Sequence, residues 1–379
     1  MLMKKAVIIF CSIAACISCS KTEVVYDQTE EITLLAVNEN MTKSMMSGND
    51  FKGESFNVWA WYKPLGASTT IEKWMGDHAE QQLYIDEKPF VQKTSPYWGG
   101  QAQYFWPKQG SLMLAGYYAP NLNDENAVTY QFDATNNKMV FSGVEPGKVV
   151  KPTKNDDKEV HTYDEDIMYF NMTPASIAYS QAAPVVTFKH ALSWITVTLK
   201  KRTNPEINAN IIVHEVSFSD IYTKGDGTVI GTSDIAWEKS ADVTEGVYYV
   251  TEDKDTSTEE HDSEIEMTTT ENTLDEPLFI PQTMENKKLK VVYSVVSTDN
   301  STFTETYEIK LSDLKYREDN ETVATKKASS WDAGKHYTYA ITIGTEEILV
   351  TPTVSPWEPI IYPVDIPIPE NEQEENNKQ

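Results

Sequence analysis

The chain has 379 residues, of which 40% are hydrophobic, and it carries 58 acidic against 32 basic side chains. The net charge of −26 repels phosphate backbones and anionic headgroups, which excludes nucleic acid and anionic lipid surfaces as partners. The three cysteines stand at positions 11, 16 and 19, so the body of the chain can form no disulfide. Its stability must therefore come from the burial of apolar surface.

The first residues have the pattern of an export signal. Two lysines precede an apolar run over residues 6–15, which is shorter than the roughly 20 residues that a transmembrane helix needs. Small residues then lead into cysteine, as in the lipobox of bacterial lipoproteins. We predict a signal peptide over residues 1–18 and lipidation of Cys19, with Cys16 as the alternative because Ile-Ala-Ala precedes it.

Short alternating runs rich in valine, isoleucine, threonine, tyrosine and tryptophan recur between clusters of glycine, proline, asparagine and aspartate. The clearest runs cover residues 56–62, 112–118, 194–199, 290–296 and 337–343. Many short strands between turn signals predict an all-β fold built of β-sandwiches. The pattern lapses between residues 176 and 185, which predicts a boundary between an N-terminal sandwich over 46–183 and a C-terminal sandwich over 184–357.

Two stretches are too polar to order themselves by burial. Residues 251–273 are acidic and are predicted to form a mobile loop. Residues 358–379 are predicted to be a C-terminal extension that ends in a disordered acidic tail.

The sequence lacks the patterns of catalytic and cofactor sites. No nucleophile motif, glycine-rich phosphate loop or paired metal-ligand spacing stands out, so we predict no catalytic, cofactor or metal site and no enzyme activity. His190 is predicted to be a core or edge histidine bonded to the backbone. The acidic clusters at 164–166 and 253–266 are predicted to be solvated loops, because neither has the spaced ligands and glycine of an EF-hand.

Aromatic residues could serve a glycan-binding surface, but most lie within strand patterns where packing explains them. Tyr97 and Trp98, in the turn-rich run Tyr-Trp-Gly-Gly, are the exposed candidates for sugar contact.

Several short phrases together resemble one family. The matching segments are Tyr104-Phe105-Trp106-Pro107, Leu112 to Pro120, Asp166-Ile167-Met168-Tyr169, Phe188 to Val197, Phe279-Ile280-Pro281-Gln282, Trp331 to Tyr339 and Val354-Ser355-Pro356-Trp357. In this order, behind a lipoprotein signal, they resemble the fimbrillin-like family, whose members build pili or pilus-like adhesins on Gram-negative anaerobes.

The resemblance implies two tandem transthyretin-like β-sandwich domains and assembly by β-strand donation. In the family, a trypsin-like protease removes an N-terminal segment with the first strand, and a strand of the next subunit fills the groove. Here the N-terminal segment is residues 19–45, its strand lies at 31–37, and cleavage within it after Lys43 would remove that strand. Family members often have arginine at that point, and this chain has none before Arg202. Either a lysine-tolerant protease acts, or this subunit keeps its first strand as an anchor or cap.

The C-terminal sequence offers two donor segments. Val364, Ile366 and Ile368 alternate as a donor strand should, but three prolines at the intervening positions remove amide donors along one edge. We therefore predict that Ile348, Leu349 and Val350 form the donor strand, and that residues 360–369 cover an edge or groove rim.

The resulting functional hypothesis is a fimbrial subunit or cell-surface adhesin at the outer membrane. Its predicted partners are neighbouring subunits, the outer membrane, to which its lipid anchors it, and a host or bacterial glycan or protein. The alternative is a monomeric surface lipoprotein that binds glycans.

Overall fold

The computed structural model describes residues 26–38, 55–63, 83–94, 96–107, 110–119, 129–133, 138–146, 166–176, 183–202, 209–240, 246–250, 265–274, 277–318, 329–344 and 348–357. These residues are nearly all in β-strands, which confirms the predicted all-β class, and one 3₁₀ turn covers Leu311–Asp313. Within these ranges, none of the chain forms a helix with the length and apolar character that crossing a membrane requires.

The first half of the chain folds around a closed sheet. Its strands are β1 (Tyr26–Glu31), β2 (Thr33–Asn38), β3 (Ser55–Lys63), β4 (Leu83–Thr94), β5 (Tyr97–Gly100), β6 (Phe105–Pro107), β7 (Ser111–Tyr118), β8 (Thr129–Asp133), β9 (Lys138–Val144), β10 (Met168–Ser176) and β11 (Val185–His190). Seven of them close into a ring in the order β10-β11-β2-β5-β4-β3-β7, and β1 pairs with β6 beside it. Alternate side chains of the ring point inward and form one buried core that includes Phe56, Phe90, Trp98, Phe170 and Phe188.

One position in this ring, Gly116, requires glycine because neighbouring groups approach its backbone closely. A Cβ on Gly116 would lie 2.3 Å from the Phe170 ring and 2.4 Å from the Asn57 carbonyl oxygen, so no side chain fits there.

The second half is a sandwich of two sheets. Its strands are β12 (Ser193–Lys201), β13 (Asn210–Ile221), β14 (Gly225–Ile230), β15 (Ala236–Lys239), β16 (Gly246–Val250), β17 (Ile265–Glu266), β18 (Asn272–Thr273), β19 (Leu278–Phe279), β20 (Gln282–Thr283), β21 (Lys288–Val296), β22 (Thr302–Lys310), β23 (Arg317–Glu318), β24 (Ser330–Trp331), β25 (Lys335–Ile343) and β26 (Ile348–Pro356). One sheet has the order β18-β12-β25-β26-β23 and the other β16-β13-β21-β22, and side chains from both fill a single core between them.

A buried hydrogen-bond network ties this core together. The Trp331 indole donates to the Tyr339 hydroxyl at 2.8 Å, and the hydroxyls of Tyr339 and Tyr316 lie 2.8 Å apart. The Asp332 amide donates to the Tyr337 hydroxyl at 2.9 Å, which in turn donates to the Ser330 carbonyl. The tryptophan and tyrosines of the sequence 331–339 are therefore core residues whose polar atoms are paired.

A third sheet joins the two halves. Its order is β15-β14-β9-β8, so β9 of the first half pairs with β14 of the second. A separate core cluster combines Trp61, Phe141 and Tyr169 with Ile280 and Trp357, which belong to opposite halves of the chain.

The strand pairing bears on the proposed boundary between domains. β11 pairs with β10 and β2 of the first half, whereas β12 pairs with β25 of the second. We retain the division into two units as a proposal and move its boundary from residue 184 to residues 191–192, because the break at 176–185 precedes a strand of the first unit.

Two expectations about acidic segments are wrong in part. Residues 265–273 are not a mobile loop, since β17 and β18 lie there and Ile265 and Met267 are buried. Asp166 is not solvated: its Oδ2 lies 2.6 Å from Nδ1 of His190, and burial raises the pKa of its carboxyl despite that contact.

Candidate functional site

The position of β2 makes it the candidate site for strand exchange. On one side it pairs parallel with β11, from Leu35 opposite Val185 to Asn38 opposite Phe188. On the other it pairs antiparallel with β5, from Thr33 opposite Gly99 to Leu35 opposite Tyr97. β2 is thus an interior strand, and its removal would leave two strand edges with unpaired N–H and C=O groups.

The inward side chains of this strand belong to the core of the first half. Leu34 and Ile32, which directly precedes β2, have no exposed surface, and Ala36 is 7% exposed. They join the cluster that contains Phe56 and Phe188, whose ring centroids lie 5.1 Å apart. Burial of each large aliphatic side chain stabilises the fold by about 1.5–3 kcal/mol, so an empty slot would expose apolar surface suited to a replacement strand.

Further contacts hold the start of the strand. The Ile32 amide donates to the Tyr104 carbonyl at 2.7 Å, and the Leu35 amide donates to the Pro184 carbonyl at 2.9 Å. Lys93 forms an ion pair with Glu31 at 3.9 Å, which contributes little because the pair is partly exposed.

The two glycan candidates lie in β5, next to β2, in different environments. Tyr97 is 42% exposed, but Trp98 is only 3% exposed and its ring centroid lies 5.3 Å from that of Phe56. Because Trp98 is buried, it cannot contact a sugar at the surface. Of the two predicted glycan contacts, Tyr97 is the one with an accessible ring.

The predicted donor residues lie in the second half of the chain. Ile348, Leu349 and Val350 begin β26 and pair antiparallel with residues 341–343 of β25. Ile348 and Val350 pack against the sandwich core, while Leu349 is 56% exposed. In this structure the donor segment is therefore part of its own subunit's sheet.

The remaining predicted sites, Cys16, Cys19 and the cleavage point after Lys43, lie outside the residues that the structure describes.

The strands that pair on either side of β2 could not be identified from the sequence, because they lie far from it along the chain. The run Val185-Val186-Thr187-Phe188 has the composition of a strand, but nothing local shows that it lies beside β2. The pairing of β1 with β6 is similarly non-local, because 73 or more residues separate Glu31 from Phe105 and Tyr26 from Pro107.

The His190 side chain bonds to another side chain and not to the backbone as predicted, since its Nδ1 lies 2.6 Å from Oδ2 of Asp166. In the described part of the chain, its Nε2 is buried and makes no hydrogen bond. The His190 ring stacks on Trp357, with centroids 4.1 Å apart. The same ranges contain no group of three or more metal-ligating side chains.

Two halves built of strands and joined through a shared sheet define an all-β protein. The family model described as fimbrillin-like matches residues 42–357. The chain belongs to the fimbrillin-like family, as the resemblance of its sequence segments implied.

A solved structure shows the same fold. A fimbrial protein from Bacteroides vulgatus is 17% identical and superposes with a TM-score of 0.57, over 86% of this chain and 99% of the other. A fimbrilin from Porphyromonas gingivalis is 8% identical with a TM-score of 0.40, over 88% of this chain and 99% of the other. No curated protein matches the chain in sequence.

Proposed function

We propose that the chain is a fimbrial subunit or cell-surface adhesin that is exported as a lipoprotein through Cys19, with Cys16 as the alternative, and assembles by β-strand donation. The observation that carries this proposal is the position of β2: an interior strand, paired on both edges, whose inward side chains complete a core. Membership of the fimbrillin-like family supports the same function.

The proposed maturation step is cleavage after Lys43, between β2 and β3. Cleavage there would leave β1 and β2 attached to the body by non-covalent contacts alone. A neighbour's strand would then compete for the same backbone groups and side-chain sites, which is strand addition at an interior position. A subunit that is not cleaved keeps β2 and would act as anchor or cap.

The proposed donor is the segment that contains Ile348, Leu349 and Val350. To donate, it must leave its ladder with β25, so assembly exchanges one set of strand contacts for another. Residues 360–369, which lie outside the described ranges, remain the competing donor.

Cysteine cross-linking distinguishes these two donors, because the body of the chain has no cysteine of its own after Cys19. One subunit carries Tyr97→Cys in β5, at the edge of the slot, and its neighbour carries either Leu349→Cys or Ile366→Cys. We expect a disulfide-linked dimer with the cysteine at 349 after cleavage at 43. A link formed by the cysteine at 366 alone would overturn the assignment of the donor.

The N-terminal residue of the protein recovered from the cell surface tests maturation. A start at Ser44 supports the polymerising subunit, and a lipidated Cys19 supports the anchor or cap. SDS-resistant ladders would be absent if the chain were instead a monomeric glycan-binding lipoprotein.

The chain is proposed not to be an enzyme. The family and its solved relatives are structural fimbrial proteins, and the buried His190–Asp166 pair is used in packing.

A further inference from the structure

A cavity of about 590 Å³ lies where the two halves of the chain meet. The first half contributes Tyr169 and Lys189 to its wall, and the second half contributes Trp237, Asp332 and Lys335. Its volume falls within the roughly 300–1,000 Å³ of small-molecule sites. We call it the junction pocket.

Two aromatic side chains that line the junction pocket have their polar atoms bonded to backbone carbonyls. The Trp237 indole donates to the Ala191 carbonyl at 2.7 Å, and the Tyr222 hydroxyl donates to the Pro281 carbonyl at 3.1 Å. The Gln282 amide fixes the same corner by donating to the carbonyls of Tyr222 and Ile280. Because the Trp237 N–H is already bonded, the part of this indole that lines the pocket is apolar.

The rim of the pocket carries two carboxylates, which accept hydrogen bonds, and two ammonium groups, which donate them. Asp234 and Asp332 supply exposed carboxylates, and Lys189 and Lys335 supply ammonium groups. Lys189 pairs with Asp234 at 2.6 Å, and Asp332 accepts from the Ser330 hydroxyl at 2.5 Å. Asp234 is 80% exposed, so water screens its ion pair with Lys189 and ligand hydroxyls can replace that pair at little cost in free energy.

The local charge indicates what kind of ligand fits. The two carboxylates and two ammonium groups cancel, whereas the whole chain has a net charge of −26 that repels anions. A ligand suited to this site is uncharged, has an apolar face for an indole ring, and has many hydroxyls that can both donate and accept.

From these observations we infer that the junction pocket binds a neutral mono- or disaccharide. The C–H face of the sugar lies on Trp237, and its hydroxyls bond to Asp234, Asp332 and the two lysines. The inference does not depend on strand donation, since the pocket walls are complete within one chain.

The test is ligand-detected saturation-transfer NMR on the purified full chain, with methyl α-mannoside, methyl β-galactoside, lactose and maltose as probes. We expect at least one of them to bind with a Kd of about 1 mM or tighter. Trp237→Ala should weaken that binding at least about tenfold, and Trp237→Phe should restore part of it because a ring face returns. The double variant Asp332→Asn with Lys335→Gln, which changes only the rim, should weaken binding by a similar factor.

The matched control is Glu238→Gln, an exposed neighbour of Trp237 on β15 that does not line the pocket, and it should bind like the unaltered chain. Circular dichroism of every variant separates loss of binding from loss of folding. The inference is overturned if none of the four sugars binds at about 10 mM, or if the rim variant binds as well as the unaltered chain. Tighter binding of 3′-sialyllactose than of lactose would overturn the assignment of a neutral ligand.

Discussion

The substitution Leu34→Ala tests whether β2 is the structural strand described above. Leu34 has no exposed surface, and replacing a fully buried leucine by alanine costs about 2.7–5 kcal/mol because it removes apolar contacts and leaves a cavity. The matched control is Leu35→Ala in the same strand, where the side chain points to the other face and is half-buried. Its cost should stay below about 1.5 kcal/mol.

Equilibrium unfolding in urea, followed by tryptophan fluorescence, measures both variants. With a slope of about 3 kcal/mol per molar urea, a loss of about 3 kcal/mol moves the midpoint down by about 1 M. The first half of the chain should show this shift for Leu34→Ala and a clearly smaller one for Leu35→Ala. Equal shifts for the two variants, or a larger one for Leu35→Ala, would refute the inward orientation of Leu34.

The same urea unfolding can be measured on protein that has been cleaved after Lys43 and separated from its N-terminal piece. This tests whether β2 leaves the subunit on maturation. The Leu34→Ala difference should vanish, because the altered residue leaves with the strand. A difference that persists would mean that β2 does not leave.

Three further predictions concern the second half and the junction. Tyr339→Phe removes the acceptor of the Trp331 indole and should lower the free energy of unfolding by about 1–3 kcal/mol in urea titrations. Burial raises the pKa of Tyr337 and Tyr339 above the ordinary value near 10, so the folded state keeps protons that the unfolded state loses. Stability should therefore fall as pH rises above about 10, and Tyr339→Phe should flatten the dependence of Tm on pH. Trp357→Ala removes the ring stacked on His190 and should cost about 3–5 kcal/mol, measured as faster amide exchange in β26 and β11.

Strands could be predicted from the sequence with good precision where short runs of apolar, β-branched and aromatic residues lie between turn signals. The runs at 56–62, 112–118, 194–199, 290–296 and 337–343 lie within β3, β7, β12, β21 and β25 respectively. Each has the length of a single strand and at least one apolar face, and in β3 and β7 both faces are buried.

Pairing could not be predicted in the same way, because residues far apart in sequence decide it. The parallel pairing of Leu35 with Val185 has no local signature, and neither has the antiparallel pairing of Val140 with Thr228. The environment of Trp98 was obscured by the two glycines that follow it, which indicate a turn. A Cβ on Gly100 would lie 2.5 Å from the Tyr104 ring, so that glycine reflects close packing.

The sheet that β9 and β14 share has a mechanical consequence. In a fibre built by the proposed strand donation, tension would enter a subunit at the slot in its first half and leave through β26 in its second half. The peptide backbone at residues 191–192 carries part of this load, and the β9–β14 ladder with the surrounding apolar cluster provides a second, parallel path. A pull on the subunit must therefore break a hydrogen-bonded ladder before the connecting peptide alone bears the force, so the halves resist separation as a unit.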